Sequence, residues 1–295
     1  MLEAEIIQGR PISRVEIAEI QALIADHPQW CRRRLSVVLA QRWQWFAPSG
    51  QLKDMAARTL LLKLQDRGLI VLPERRRAPP GRRPACSPDL FDAVLPDPLV
   101  ADLASLRPLQ IQVVRPKQPD YDRFRRYLAR HHYLGYGGPI GENLGYLIRS
   151  RAGGDLACLL FGAAAWQCAP RDRWIGWSAE QRAQGLSFIA NNHRFLILPW
   201  VRVPHLATHI LSQVAQRIEA DWQRRYGHRL HWLETFVQPD RFRGTCYQAA
   251  NWIHVGQTTG RTRQSRRLRD NQVHAPVKDI YLYPLGSDGH RPLGR

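Results

Sequence analysis

The chain has 295 residues, of which 44% are hydrophobic and ten are tryptophan, enough for one large domain or two modest ones with packed cores, and too apolar for a disordered chain. Its formal net charge is +18, and only four of its 43 basic residues are lysine (Lys53, Lys63, Lys117 and Lys278). Arginine presents a planar fork that matches phosphate oxygens in pairs, so the balance points to a nucleic-acid partner; a GC-rich genome would explain the arginine:lysine ratio but not the uncompensated charge.

Residues 1–72 read as a small helical unit. Ser13 followed by Glu16 is a capping-box pattern, and Val15, Ile17, Ile20, Leu23 and Ile24 then recur at helical spacing. A second helix fits "RRLSVVLAQRWQWF", with a turn at "APSGQ", and a third fits "KDMAARTLLLKLQDRG", closed by Gly68. "LIVLP" follows as a short strand ended by Pro73. This order resembles a winged helix-turn-helix domain, whose third helix enters the major groove of DNA; the resemblance implies Lys53, Arg58, Lys63 and Arg67 as exposed DNA contacts. Winged helices that bind only proteins share the same pattern.

Residues 73–104 are expected to be a linker, because seven prolines between residues 73 and 100 preclude a continuous helix or a central strand. In its first half Arg75, Arg76, Arg77, Arg82 and Arg83 stand against a lone Glu74. "PPGRRPA" is similar to the extended arms that lie in a narrow minor groove, and it equally suits a solvated spacer.

From residue 105 to 295 the elements alternate as in a mixed α/β domain of six or seven strands. "LQIQVVRP" is a strand, "DYDRFRRYLARHHYLGY" a helix, and "NLGYLIRS" with "GDLACLLFGAAAW" a hairpin around Gly153–Gly154. "RDRWIGW" reads as a loop and "SAEQRAQGLSFIANN" as a helix. "RFLILPWV" is a buried strand, "HLATHILSQVAQRIEADWQRRYG" a long amphipathic helix and "HWLETFV" another strand. A short helix at "GTCYQAANW" and strands at "WIHVG" and "DIYLYPL" complete the order. Between those last strands, "GQTTGRTRQSRRLRD" carries Arg261, Arg263, Arg266, Arg267 and Arg269, which repel one another until phosphates arrive; a solvated loop is the plain alternative.

The five cysteines are odd in number and form no CxxC pair, which fits a reducing cytoplasm and argues against a disulfide framework or a zinc knuckle. "MLEAEIIQGR" holds no apolar signal core, and no run approaches the roughly 18 apolar residues of a membrane span. A soluble, cytoplasmic protein without membrane contact is expected.

The C-terminal order resembles the GNAT acetyltransferase-type fold. Tyr247–Gln248–Ala249–Ala250–Asn251–Trp252 occupies the frame of that fold's Y-E-K-x-G-F pattern, with Asn251 where glycine takes the left-handed conformation. The resemblance implies Tyr247 as a general acid. In "PWVRVPHLATHIL", Pro199, Arg202 and Ala207 keep the places of the pyrophosphate cradle, whereas Val203 and His205 replace two glycines around Pro204. Proline lacks an N–H and side chains crowd the approach, so the likeness implies the fold and not acetyl-CoA use.

The whole chain also resembles the DruA family of Druantia anti-phage defence proteins, with related sequences on mobile elements. The likeness rests on "QLKDMAARTLLLKLQDRGLIVLP", "RHHYLGY", "RDRWIGW", "NNHRFLILPWV", "LETFV", "GTCYQAANW", "VGQTTGR" and "KDIYLYPL", in that order. It implies defence against foreign DNA or movement of DNA, and supplies no reaction.

Candidate catalytic residues are Glu234, whose apolar strand would desolvate its carboxylate and raise its pKa, Tyr247, Asp172 and Cys246. Against these stand a structural Glu234 paired with Arg194 or Arg202, a loop salt bridge for Asp172, and an inert buried Cys246. Asn191, Asn192, Arg194, Trp177, Arg182 and Arg202 are candidate substrate contacts; Asn191–Asn192 also suits a plain turn. Asp172, Glu234 and Asp240 would form a divalent-metal set if they converge. Three functions remain open: a nucleic-acid-modifying enzyme on a GNAT-like fold, a metal-dependent transposase or nuclease, and a sensor that recruits a helicase or nuclease.

Overall fold

A short antiparallel pair, β1 (Glu5–Ile7) and β2 (Arg10–Ile12), leads into helix α1 (Arg14–Asp26). The capping box forms: the Val15 N–H donates to Ser13 Oγ and the Ser13 N–H to Glu16 at 2.7 Å. Helices α2 (Arg32–Arg42) and α3 (Asp54–Asp66) follow, the latter closed by left-handed Gly68. Their inner faces meet through Ile20, Leu23, Leu35, Leu39, Leu60 and Leu64, while Arg10 lies over Trp43 at 4.5 Å. The strand expected at "LIVLP" pairs with no described strand. Ile70 and Leu72 pack inward and Val71 is 84% exposed, so the alternation reflects burial without a ladder. Of the four expected groove contacts only Arg67 is exposed; Lys53, Arg58 and Lys63 are half-buried.

The computed structural model describes residues 5–8, 10–48, 50–74, 96–139, 141–260 and 275–286. The chain divides into two units, Met1–Arg83 with Ala179–Gly185, and Pro84–Ser178 with Leu186–Arg295. Arg75, Arg76, Arg77, Arg82 and Arg83 lie outside the described residues, as do Arg261, Arg263, Arg266, Arg267 and Arg269.

The second unit starts earlier than the composition suggests. Strand β3 (Leu99–Val100) and helix α4 (Leu103–Leu106) form within the stretch read as linker. Strand β4 (Gln110–Val114) and helix α5 (Pro119–His131) precede the hairpin of β5 (Asn143–Arg149) and β6 (Asp155–Ala163). "RDRWIG", read as loop, is helix α6 (Ala169–Ile175): Pro170 suits its first turn and left-handed Gly176 closes it. Helix α7 (Ala179–Gly185), which groups with the first unit, and a 3-10 turn (Leu186–Phe188) take up the next stretch. The helix expected through "IANN" gives way to strand β7 (Ile189–Ile197), because Ile189 and Ala190 are buried on opposite sides at strand period. The remaining elements are β8 (Val201–Arg202), α8 (Leu206–Tyr226), β9 (Trp232–Val237), α9 (Thr245–Ala249), β10 (Ile253–Gln257) and β11 (Asp279–Pro284).

β3 pairs with β8, and the other seven strands form one sheet in the order β10-β11-β9-β7-β6-β5-β4. Every neighbouring pair in that sheet is antiparallel except β7 and β9. The fold is thus mixed α/β, built on a seven-stranded mixed sheet. Phe124 and Leu128 of α5 and Ile210, Val214, Ile218 and Trp222 of α8 share one core with Tyr146 and Leu159 of the sheet. Ile175 and Trp177 pack on a smaller cluster of Ile189, Trp232 and Leu282. Asn251 has φ 61°, the left-handed conformation expected of it, and so does His205, φ 61°, where the related pattern has glycine. No helix among the described residues is long and apolar enough to cross a membrane.

Candidate functional site

Parallel strands β7 and β9 stay paired only at Ile189–Trp232, Ala190–Leu233 and Asn191–Glu234, then separate. The separation opens a cleft of about 780 Å³, lined by β7 and β9, the end of α5, the start of α8, and the segment from Arg241 to Tyr247. A bulge sharpens it: Leu160 of β6 faces Arg194 whereas Phe161 faces Asn192, leaving His193 as the extra residue. The His193 ring lies against Gly162, where an added Cβ would sit 2.8 Å from its Cε1. Gly162→Ala should therefore displace the ring and destabilise the second unit by about 1–3 kcal/mol in denaturant titration. Gly154→Ala, which meets nothing nearer than 3.5 Å, should cost clearly less; equal costs would mean that the bulge yields freely.

Asn192 organises the cleft floor. Its Oδ1 accepts from the Tyr247 hydroxyl at 2.8 Å, its Nδ2 donates to the Arg194 carbonyl at 3.2 Å, and its own carbonyl accepts from the Thr235 hydroxyl. Burial pushes the Tyr247 phenol well above its ordinary range. It also pushes the Cys246 thiol up, so both stand protonated at neutral pH. His132 is held down to about 4 by burial and by Arg194. Its Nδ1 accepts from the Leu134 N–H, which leaves the ring neutral with its proton on Nε2.

Four cations border this cleft: Arg194, Arg241, Arg243 and Lys278. Burial, with some repulsion from Arg194, lowers the Lys278 pKa, and burial lowers that of Arg194. Arg194 spends two N–H groups on the Gly135 and His193 carbonyls. None of the four makes an ion pair with a described residue, and no described lining residue is Asp or Glu. Elsewhere in the unit Arg123, Arg149, Arg171, Arg217, Arg224 and Arg229 are all paired with carboxylates. The mouth is aromatic: Tyr133 and Phe242 have ring centroids 5.4 Å apart, and the Arg241 guanidinium lies 5.3 Å from the Tyr133 ring.

Asn191, Asn192, Arg194, Cys246 and Tyr247, named from sequence, thus meet in one cleft. Glu234 and Asp172 meet elsewhere, on Arg171. The Arg171 side chain is fully enclosed; Nη1 bonds Glu234 Oε2 and the Ala165 carbonyl, each at 2.8 Å, while Nε and Nη2 bond Asp172 Oδ1. The Ala165 N–H donates to Glu234 Oε1 at 2.6 Å. The Glu234 partner is therefore Arg171, not Arg194 or Arg202, and the pairing reflects the fold of "RDRWIG" into a helix across β9. A guanidinium fills the space between the two carboxylates, Asp240 is exposed on a turn, and no three such donors among the described residues are placed to hold a metal.

Trp177 packs into the smaller apolar cluster, its buried indole N–H bonding no described residue. Arg182 lies on α7 and Arg202 is exposed on β8, and neither lines the cleft. Sequence reasoning missed His131, His132, Tyr133, Arg241, Phe242, Arg243 and Lys278. The available signal was an aromatic and basic run on each side, "RHHYLGY" and "RFRG", with no acid in either. The ends of the arginine-rich loop meet where the Ala275 N–H bonds the Gly260 carbonyl, close in sequence to Lys278.

Among curated proteins none matches this chain. Spermidine N-acetyltransferase from Vibrio cholerae, solved with CoA and spermine, is similar at 6% identity and TM-score 0.39 over 60% of this chain and 95% of that one. A Klebsiella pneumoniae protein assigned to the acyl-CoA N-acyltransferases is similar at 15% identity and TM-score 0.36, over 60% and 98%. The family described as Druantia protein DruA matches residues 98–267. That match takes in more than half of the chain, from β3 through β10, with both strands of the cleft and every lining residue but Lys278: the chain belongs to the DruA family.

Proposed function

We propose that this chain is a nucleic-acid-binding component of Druantia-type defence, and that the cleft between β7 and β9 is where the polymer is held. The observation that carries the reading is the imbalance of charge. Four cations gather in a cleft whose described lining contains no acid, and none of them makes an ion pair with a described residue, whereas Arg123, Arg149, Arg171, Arg217, Arg224 and Arg229 of the same unit do. Such a cluster repels itself until a polyanion replaces the missing counterions. The net charge of +18 adds long-range attraction. DNA is the expected polymer, given the family's association with defence against foreign DNA. The arginine-rich loop, whose ends meet near Lys278, would extend the same contact.

Arg241→Glu/Arg243→Glu tests this reading. Binding of a fluorescent oligonucleotide by the full chain should weaken at least tenfold, and the slope of log affinity against log salt should fall by about 1.4 for a single strand, at roughly 0.7 for each phosphate no longer neutralised. Affinity and slope equal to those of the unsubstituted protein would reject the cleft as the binding site.

A further inference from the structure

Resting on the proposed nucleic-acid binding, we infer that the cleft takes a single strand and that Tyr133 and Phe242 at its mouth stack on an unpaired base. Large apolar side chains are mostly buried in this unit, yet Tyr133 is 36%, Leu134 46% and Phe242 51% exposed, and all three line one cleft. Their rings already associate: His132 lies 4.9 Å from Tyr133, which lies 5.4 Å from Phe242. Arg241 sits over Tyr133 and so offers charge at the same place where the rings offer a π-face.

An aromatic face beside an unpaired guanidinium is the combination that holds a base and its phosphate together. In a duplex the base faces are covered by their neighbours and the outer surface presents only phosphates and groove edges, so exposed rings gain little from it. A single strand presents both. Inward from the mouth, Asn191 also borders the cleft, 7% exposed, with an amide that bonds no described residue. An uncommitted donor and acceptor there matches the edge of a base. The cleft volume of about 780 Å³ is that of a site for a small ligand, suited to one or two nucleotides and too small for a duplex. Arg194 and Lys278, partly desolvated inside, are left to meet the phosphate.

The experiment compares the full chain with Tyr133→Ala/Phe242→Ala and with Arg241→Glu/Arg243→Glu, on one 15-residue sequence supplied as single-stranded DNA, single-stranded RNA and duplex DNA. The aromatic variant should lose roughly ten- to a hundredfold on a single strand and less than threefold on duplex. The charge variant should lose affinity for both forms. Tyr133→Phe should retain single-strand binding, and thermal melting checks that each variant is folded. As a readout independent of any variant, 2-aminopurine in the strand should be quenched when the unsubstituted protein binds, since stacking quenches it.

Loss on either single strand supports the inference and identifies the polymer. Equal loss on single strand and duplex, or unchanged single-strand affinity with no quenching, overturns the stacking while leaving the charge-based reading intact. A charge variant that binds as the unsubstituted protein does, or full chain that binds no oligonucleotide, overturns both.

Discussion

Arg171→Met should destabilise the second unit by about 3–5 kcal/mol at neutral pH, among the largest costs of any single substitution in the protein. The guanidinium is fully enclosed and bonds two carboxylates and a carbonyl. Methionine fills similar space and removes the charge, leaving Glu234 buried with the Ala165 N–H but no counter-charge. Burial already pushes the Glu234 carboxyl up from its ordinary 4.5, against the pull of Arg171. Without Arg171 the folded-state value rises further, so folding of the variant takes up a proton. A group whose folded value is raised contributes stability at pH below its unfolded value and loses it as pH climbs through the folded one. The deficit of the variant should therefore shrink toward pH 5 and be larger at pH 7.5. Adding Glu234→Gln should recover part of the loss at pH 7.5 and little at pH 5. Urea titration of the full chain, following the second unit's transition, measures this; a deficit under 1 kcal/mol without pH dependence would mean that water reaches the network.

That network matters to the cleft although it does not line it. Glu234 is the last residue of β9 paired with β7, and Thr235, next in sequence, already borders the opening and bonds the Asn192 carbonyl. Arg171 thus pins β9 from α6 at the point where the two strands part. A buried acid on an apolar strand has two readings, a base awaiting substrate or one half of an ion pair. In sequence, the arginine that decides between them lies far from Glu234, hidden in a stretch that reads as loop. "APRDRWI" gives little helical period in seven residues, and its helix is fixed by Pro170 in the first turn, left-handed Gly176 and the buried pairing of Arg171.

The rest of the fold was legible to differing degrees for physical reasons. Long apolar periods marked α1, α8 and the β5–β6 hairpin, and Ser13–Glu16, Gly68 and Asn251 carried local conformations that tertiary contacts did not override. Strand β7 was legible only from Arg194 onward, because Ala190, Asn191 and Asn192 lack strand propensity and form part of the sheet through their neighbours β6 and β9. In the site, residues on those central strands could be named from sequence. Tyr133, Arg241, Phe242 and Arg243 could not, since nothing local says that the end of α5 and the turn after β9 lie side by side. Their convergence is a product of topology: β7 and β9 separate, and each rim closes on the opening.

Gly244→Ala should cost about 2–5 kcal/mol and disturb the cleft from its other end. Gly244 has φ 70°, and an added Cβ would sit 2.6 Å from the Tyr281 hydroxyl oxygen. Left-handed backbone alone costs a non-glycine residue roughly 1–2 kcal/mol, and overpacking adds about 1–3. Gly176→Ala separates the two terms: its φ is 82°, yet a Cβ there meets nothing within 4 Å, so only the backbone cost should appear. Tyr281 cannot yield cheaply. It is 1% exposed, its hydroxyl accepts from Gln248 Nε2 at 3.0 Å, and its ring stacks with Tyr247 at 6.0 Å. Pushing it aside moves Tyr247, whose hydroxyl holds Asn192 on the cleft floor. Gly244→Ala should therefore weaken oligonucleotide binding even where the protein remains folded, whereas Gly176→Ala should leave affinity unchanged. Paired melts and binding isotherms measure both. Equal losses of stability would show that Tyr281 rotates away without resistance, and unchanged binding in a destabilised Gly244→Ala would show that the turn before α9 does not set the cleft's shape.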